Sequence, residues 1–275
     1  MWQYTAPILY ALFVWWFGTG VVLLLDNLPR RFLAPTLGAA SAVAVAALVL
    51  LAITADDTTV AAAFVAFTCG VLVWSWMELT FLTGAVTGPR QHGCVPGCTG
   101  IKHFGHALAA IAYHELAIAA GGLAVYLATA GGSNRVGFWT YLVLWVMRQS
   151  AKLNLHFGVR NLSEEFLPPR LRYMTSYFRR RPLNLLFPLS VSAATVVAVL
   201  LVREIGAVRT SAFDVAGYTL VATLLWLAIL EHWLLVLPLP TSALWRWSLR
   251  GAARAHEGED DAPGPLRSAV RLGDG

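Results

Sequence analysis

LNLHFGVRNLSEEFLPPRLRYMTSYFRRRPLNLLFP, residues Leu153–Pro188, lies between two long apolar runs, and its reading decides the fold. Arg160 opens its charged part, Arg170 and Arg172 follow, and Arg179, Arg180 and Arg181 close it. Only Glu164 and Glu165 oppose them. A segment this basic, broken by Pro168 and Pro169, belongs in water or lipid headgroups, while its flanks reach hydrocarbon length.

Apolar runs near the ~20 residues that cross a bilayer recur on both sides of it. They cover Pro7–Leu25, Leu33–Ile53, Val60–Thr83, Phe104–Thr129, Gly137–Leu155, Leu183–Val202 and Val215–Leu237. The 275-residue chain is 57% hydrophobic and 13% charged, with mean hydropathy +0.63, which excludes a soluble domain. A spanning segment must satisfy its backbone internally, so each run is a helix. The expectation is an all-α polytopic membrane protein with seven transmembrane helices. Residues 1–250 form the membrane domain, and residues 251–275, rich in Gly, Asp, Arg and Pro, form a flexible cytoplasmic tail. The first run has no basic leader and no small-residue cleavage site, and reads as a retained span.

Charge sets the orientation. With the N-terminus outside, fifteen Lys and Arg fall in the inner loops and tail and three, Arg135, Arg203 and Arg209, fall outside. That asymmetry predicts an N-out, C-in protein of the bacterial inner membrane, N-terminus periplasmic and C-terminus cytoplasmic. The net charge of +5 is explained by anionic lipid at the inner face and calls for no nucleic acid.

Ionisable residues within a span are costly and draw attention to function. Glu78 ends the third run, His114 and Glu115 lie mid-way in the fourth, and Glu231 and His232 lie late in the seventh. Arg148, Lys152 and His156 repeat every four residues in the fifth, so they share one face. Glu115 precedes the turn at Ser133 by 18 residues, and Arg148 and Lys152 follow it by 15 and 19. In an antiparallel pair these depths match, so Glu115 neutralises Arg148 or Lys152. The set reads either as polar locks between helices or as a ligand, pigment or proton site. No HExxH or other tight metal motif accompanies it.

A second constellation is His92-Gly-Cys94-Val-Pro-Gly-Cys98 with His103 and His106. Cys94, Cys98, His103 and His106 are weak candidates for a metal, against an ordinary turn or a disulfide. A cytoplasmic loop disfavours the disulfide. Cys69, within a run, reads as packing, and Gly121-Gly122 permits a close helix approach. Glu164-Glu165 lies outside a span with no partner motif, which argues against an intramembrane protease.

GVRNLSEEFLPPRLRYMTSYFRRRPLNLLFPLSVSAATVVA (158–198) closely resembles the photosynthetic complex assembly protein 2 family, the PuhE family of phototrophic bacteria. WMELTFLTGAVTGPR (Trp76–Arg90), Tyr113-His114-Glu115 and LEHWLLVLPLP followed by LWRW (230–247) extend the resemblance. It implies a membrane assembly factor for the reaction centre and light-harvesting complexes, or a regulator of bacteriochlorophyll supply, without turnover chemistry of its own. Transient binding of bacteriochlorophyll or a precursor, with His114, His156 or His232 as imidazole donors, is the cofactor expectation. The expected partners are membrane lipid, photosynthetic polypeptides and pigment-synthesis proteins, docked on Arg160, Arg170, Arg172, Arg179, Arg180 and Arg181. The alternatives are an intramembrane enzyme built on the Glu/His set, metal-dependent or not, and a proton-coupled small-molecule transporter.

Overall fold

The computed structural model describes residues 2–207, 211–237, 239 and 241–248. The tail read at 251–275 lies outside the described residues. Among the described residues seven long α-helices follow one another: α1 (Trp2–Asp26), α2 (Leu33–Ile53), α3 (Val60–Leu82), α4 (Gly100–Thr129), α5 (Val136–Phe157), α6 (Leu186–Ile205) and α7 (Ala212–Leu234). Six are long and apolar enough to cross a membrane. The other, α5, has the length, about 33 Å at 1.5 Å per residue, but its C-terminal half carries Arg148, Gln149, Ser150, Lys152, Asn154 and His156.

The packing is inverted relative to a soluble protein. Ile53, Leu116 and Leu189 face outward at 74%, 67% and 65% exposure, whereas His114, Asn154 and Thr140 are fully buried. Outward apolar side chains suit lipid, and of the inward groups Thr140 and Asn154 find hydrogen-bond partners there. The centre is α3 and α7, whose buried residues run round most of each helix. On them pack α1, α2, α5 and α6, while α4 lies against α2, α3 and α5.

Small residues set the close crossings, since packing rather than hydrophobicity drives helix association in lipid. A Cβ on Gly70 of α3 would lie 2.7 Å from the Gly137 carbonyl of α5, and one on Gly137 would lie 2.8 Å from the Ala66 carbonyl. Gly121 and Gly122 do the same for α4 against Tyr141 and Trp145, and the Tyr141 hydroxyl donates to the Ile118 carbonyl at 2.8 Å.

The helix ends are locally encoded. Thr59 accepts from Ala62 N at the start of α3, and Ser211 with Asp214 makes a capping box on α7. Asn184 accepts from Leu186 N and Phe187 N while donating to the Gly158 carbonyl, so one amide ties α5 to α6. Pro188 is the third residue of α6, where its missing N–H would have had no helical partner anyway; this is why the helix begins at Leu186 rather than Leu183. At the opposite end Asn134 donates to the Ala55 carbonyl, joining the α2–α3 and α4–α5 turns.

The segment after α5 is more structured than a solvated basic loop. Two 3-10 turns, Glu164–Phe166 and Pro169–Tyr177, fold it across the bundle end. Val159 and Arg180 form a parallel bridge, and Asn161 N donates to the Leu235 carbonyl at the end of α7. Leu171, Met174 and Tyr177 are buried against Phe81, Leu82 and Ala110. The arginines are interleaved with these apolar residues, so the segment is a cap with a basic outer face.

Candidate functional site

Beneath that cap a cavity of about 410 Å³ opens between α1, α3, α5 and α7. Its wall is mostly apolar, with Trp15, Phe81, Met147 and Trp245 among the larger side chains. Into it come Glu78, Arg148, Lys152, His156, Glu231 and His232, six of the eight polar residues singled out within the spans.

The four-residue spacing on α5 turns Arg148, Lys152 and His156 to one side, facing the carboxylates of α3, α4 and α7. Lys152 Nζ donates to Glu115 Oε1 at 2.7 Å, and Gln149 Nε2 donates to Glu115 Oε2 at 2.5 Å. Arg148 chooses Glu78 instead, at 2.9 Å. Trp15 Nε1 donates to Glu231 Oε1 at 2.7 Å, binding α1 to α7. Among the described residues the site thus contains three carboxylates and two cations, and the indole of Trp15 is the hydrogen-bond partner of one carboxylate, Glu231.

Two classes of polar group emerge. Some are spent: His232 Nδ1 donates to the Ala228 carbonyl and its Nε2 accepts from Ser150 Oγ, both at 2.9 Å. Glu115 is likewise saturated by Lys152 and Gln149. Others keep buried atoms with no partner among the described residues, namely Glu78 Oε1, Arg148 Nε and His156 Nδ1, and all three residues line the cavity. A buried polar atom without a partner costs about 1–3 kcal/mol, which a bound polar group would relieve. His114 is fully buried and stacked on Phe81 at 4.3 Å, with neither ring nitrogen partnered among the described residues, and lies outside the cavity wall.

The six arginines of the cap separate in the same way. Arg170 turns inward: its Nε donates to the Leu82 carbonyl, and its guanidinium pairs with Asp26, which is 1% exposed. Arg180 reaches Glu164 at 3.4 Å on the surface. Arg160, Arg172 and Arg181 are exposed, and Arg179 is half-buried.

At the α3–α4 loop, Cys94, Cys98, His103 and His106 meet beside the cap, with all three cysteines of the chain free. A hydrogen bond with Cys94 holds the Cys98 thiol above its ordinary pKa, while Arg90 and Lys102 pull it the other way.

Sequence reasoning missed Trp15, Asp26, Gln149 and Ser150 as members of these networks. Gln149 and Ser150 sit beside Arg148 on α5, and their presence in an apolar run was a usable signal. Trp15 and Asp26 have no local signal, because their partners are 216 and 144 residues away.

Helices of spanning length that turn apolar faces outward and charged residues inward define the class: a polytopic helical membrane protein. The chain belongs to the family described as "Protein of unknown function (DUF3623)", matched over residues 1–256. It is similar to a Rhodobacter capsulatus protein described as "Uncharacterized 30.4 kDa protein in puhA 5'region". The two are 34% identical over 245 residues, 88% of this chain and 89% of the relative. No solved structure matches.

Proposed function

We propose that the chain is a membrane factor for assembly of the bacterial photosynthetic apparatus and that its cavity holds bacteriochlorophyll or a precursor in transit. The observation that carries the process is the relative named for the puhA 5' region of a phototrophic bacterium. That context agrees with the resemblance to the PuhE family.

The cavity supports the choice of ligand. Its volume lies within the ~300–1,000 Å³ of small-molecule sites, and an apolar wall with few polar groups suits an amphiphile. A bound chlorin would supply a magnesium that a neutral imidazole could ligate. His156, which lines the cavity and keeps Nδ1 without a partner among the described residues, would be the imidazole to ligate it; Arg148 Nε could donate to a peripheral carbonyl, whereas Glu78 Oε1 could only accept, from a hydroxyl. Of the three histidines considered from sequence, His232 is committed to Ala228 and Ser150, and His114 is sealed behind Phe81.

In this reading α5 is a seventh span, with its charges turned into the bundle. The inner-membrane orientation is N-out, C-in, so the cap and its exposed Arg160, Arg172, Arg180 and Arg181 face the cytoplasm for acidic partner surfaces. Reporter fusions after Asp57 and after Arg172 test this, with external activity expected at the first and internal activity at the second.

The ligand is tested by isolating the chain from phototrophic membranes in mild detergent. Bacteriochlorophyll or precursor absorbance should co-elute and fall in His156→Leu. Folded protein without pigment, but with reaction-centre or light-harvesting polypeptides, would leave assembly and remove pigment handling. Neither would remove both.

A further inference from the structure

We infer that Cys94, Cys98 and His106, with His103 as the fourth donor, form a zinc site at the junction of the α3–α4 loop and the cap. Both thiol sulfurs lie 3.4 Å from His106 Nδ1, and the three donor atoms lie within 4.8 Å of one another. His103 Nδ1 is 3.4 Å from Cys94 Sγ. A tetrahedral zinc with Zn–S near 2.3 Å and Zn–N near 2.0–2.1 Å places S and N ligands about 3.5 Å apart. The Cys94, Cys98 and His106 donors therefore stand near the S···N edge lengths of a tetrahedral site, while His103, outside the set that lies within 4.8 Å of one another, would shift toward the metal to complete S2N2.

The local chain explains the convergence. Gly97 takes φ +82° and Cys98 N donates to the Val95 carbonyl, so a tight turn brings the two thiols to one side. Gly100 starts α4, and His103 and His106, three residues apart, share the helix face turned toward that turn. The frame round the donors is pinned. Cys94 N meets Ser176 Oγ at 2.9 Å, Arg90 donates to Gly93 O and the Tyr177 hydroxyl, and that hydroxyl donates to His92 O. His103 stacks on His156 at 5.2 Å and meets the Tyr177 ring, tilted, at 5.8 Å. Outer contacts of this kind orient metal ligands.

Thiolate and neutral imidazole suit zinc, and two thiolates with two imidazoles balance its charge. Binding releases the two thiol protons to solvent. The metal would staple the loop to the start of α4, and the Cys94 N–Ser176 Oγ hydrogen bond links that unit to the cap. This inference does not rest on the pigment reading, because the ligands lie outside the cavity wall.

The test uses full-length protein without a polyhistidine tag, purified under reducing conditions. About one zinc per chain is expected by elemental analysis, and cobalt(II) exchange should give a sulfur-to-metal charge-transfer band with tetrahedral d–d bands. Cys98→Ser and His106→Gln should lower occupancy more than tenfold, His103→Gln should weaken affinity about 10–100-fold, and Cys69→Ser should change nothing. Should the variants misfold, the cobalt spectrum of the unaltered chain still reports its sulfur ligands. Reduced, folded protein that takes up neither metal overturns the site, as does undiminished binding in Cys94→Ser/Cys98→Ser. A cobalt spectrum without the sulfur band also overturns it.

Discussion

Glu115 and Lys152 show how depth in a membrane can be read from residue counts. Their matching distances from the α4–α5 turn anticipated the 2.7 Å pair that forms. Arg148 shows where that reasoning ends, since depth alone left it free to meet Glu115, and the rotation of α5 against α3 gave it to Glu78 instead. Rotational phase is not encoded in spacing, nor is a partner as distant as Asp26 is from Arg170. Breaking a pair is costlier than replacing it, because the survivor remains as an uncompensated charge. Glu115→Gln should therefore destabilise the detergent-solubilised protein by about 2–3 kcal/mol, and Glu115→Leu/Lys152→Met should recover part of the loss in thermal melts. Additive losses would mean the pair is not coupled. Asp26 is almost fully buried and Arg170 only partly, so Arg170→Ala should cost about 3 kcal/mol in the same assay, whereas Arg172→Ala should stay within about 0.5 kcal/mol.

The helices themselves were legible, and six of them meet the length and apolarity that a bilayer demands of a span. Their ends moved by a few residues for local reasons: α4 starts at Gly100 and α7 stops at Leu234. The cap was not legible as a folded element. Its arginines signalled water, while Leu171, Met174 and Tyr177 bury themselves against α3 and α4 without helical or strand periodicity. The α3–α5 crossing depends on the absence of side chains at Gly70 and Gly137. Gly137→Val should cost about 1–3 kcal/mol by overpacking against Leu51 and Ala66. Gly18→Ala in α1, whose new methyl would meet nothing within 4 Å, should be neutral or slightly stabilising; equal effects at both sites would contradict the close crossing.

At the scale of the whole molecule, charged residues line an interior cavity, apolar faces turn outward, and one end is covered by a basic cap. The pigment reading joins the first feature to the last: a ligand held beneath the cap would be passed to a protein docked upon it. Arg180→Glu/Arg181→Glu leaves the Arg170–Asp26 pair untouched, so it should insert normally and still reduce accumulation of photosynthetic complexes. The most direct measurement of the central claim is the near-infrared absorption of a phototrophic host lacking this gene, with and without the restored chain. The account predicts lowered reaction-centre and light-harvesting bands that return with the intact chain and only partly with His156→Leu. Bands unchanged by the deletion, under conditions where the protein is normally made, would contradict it.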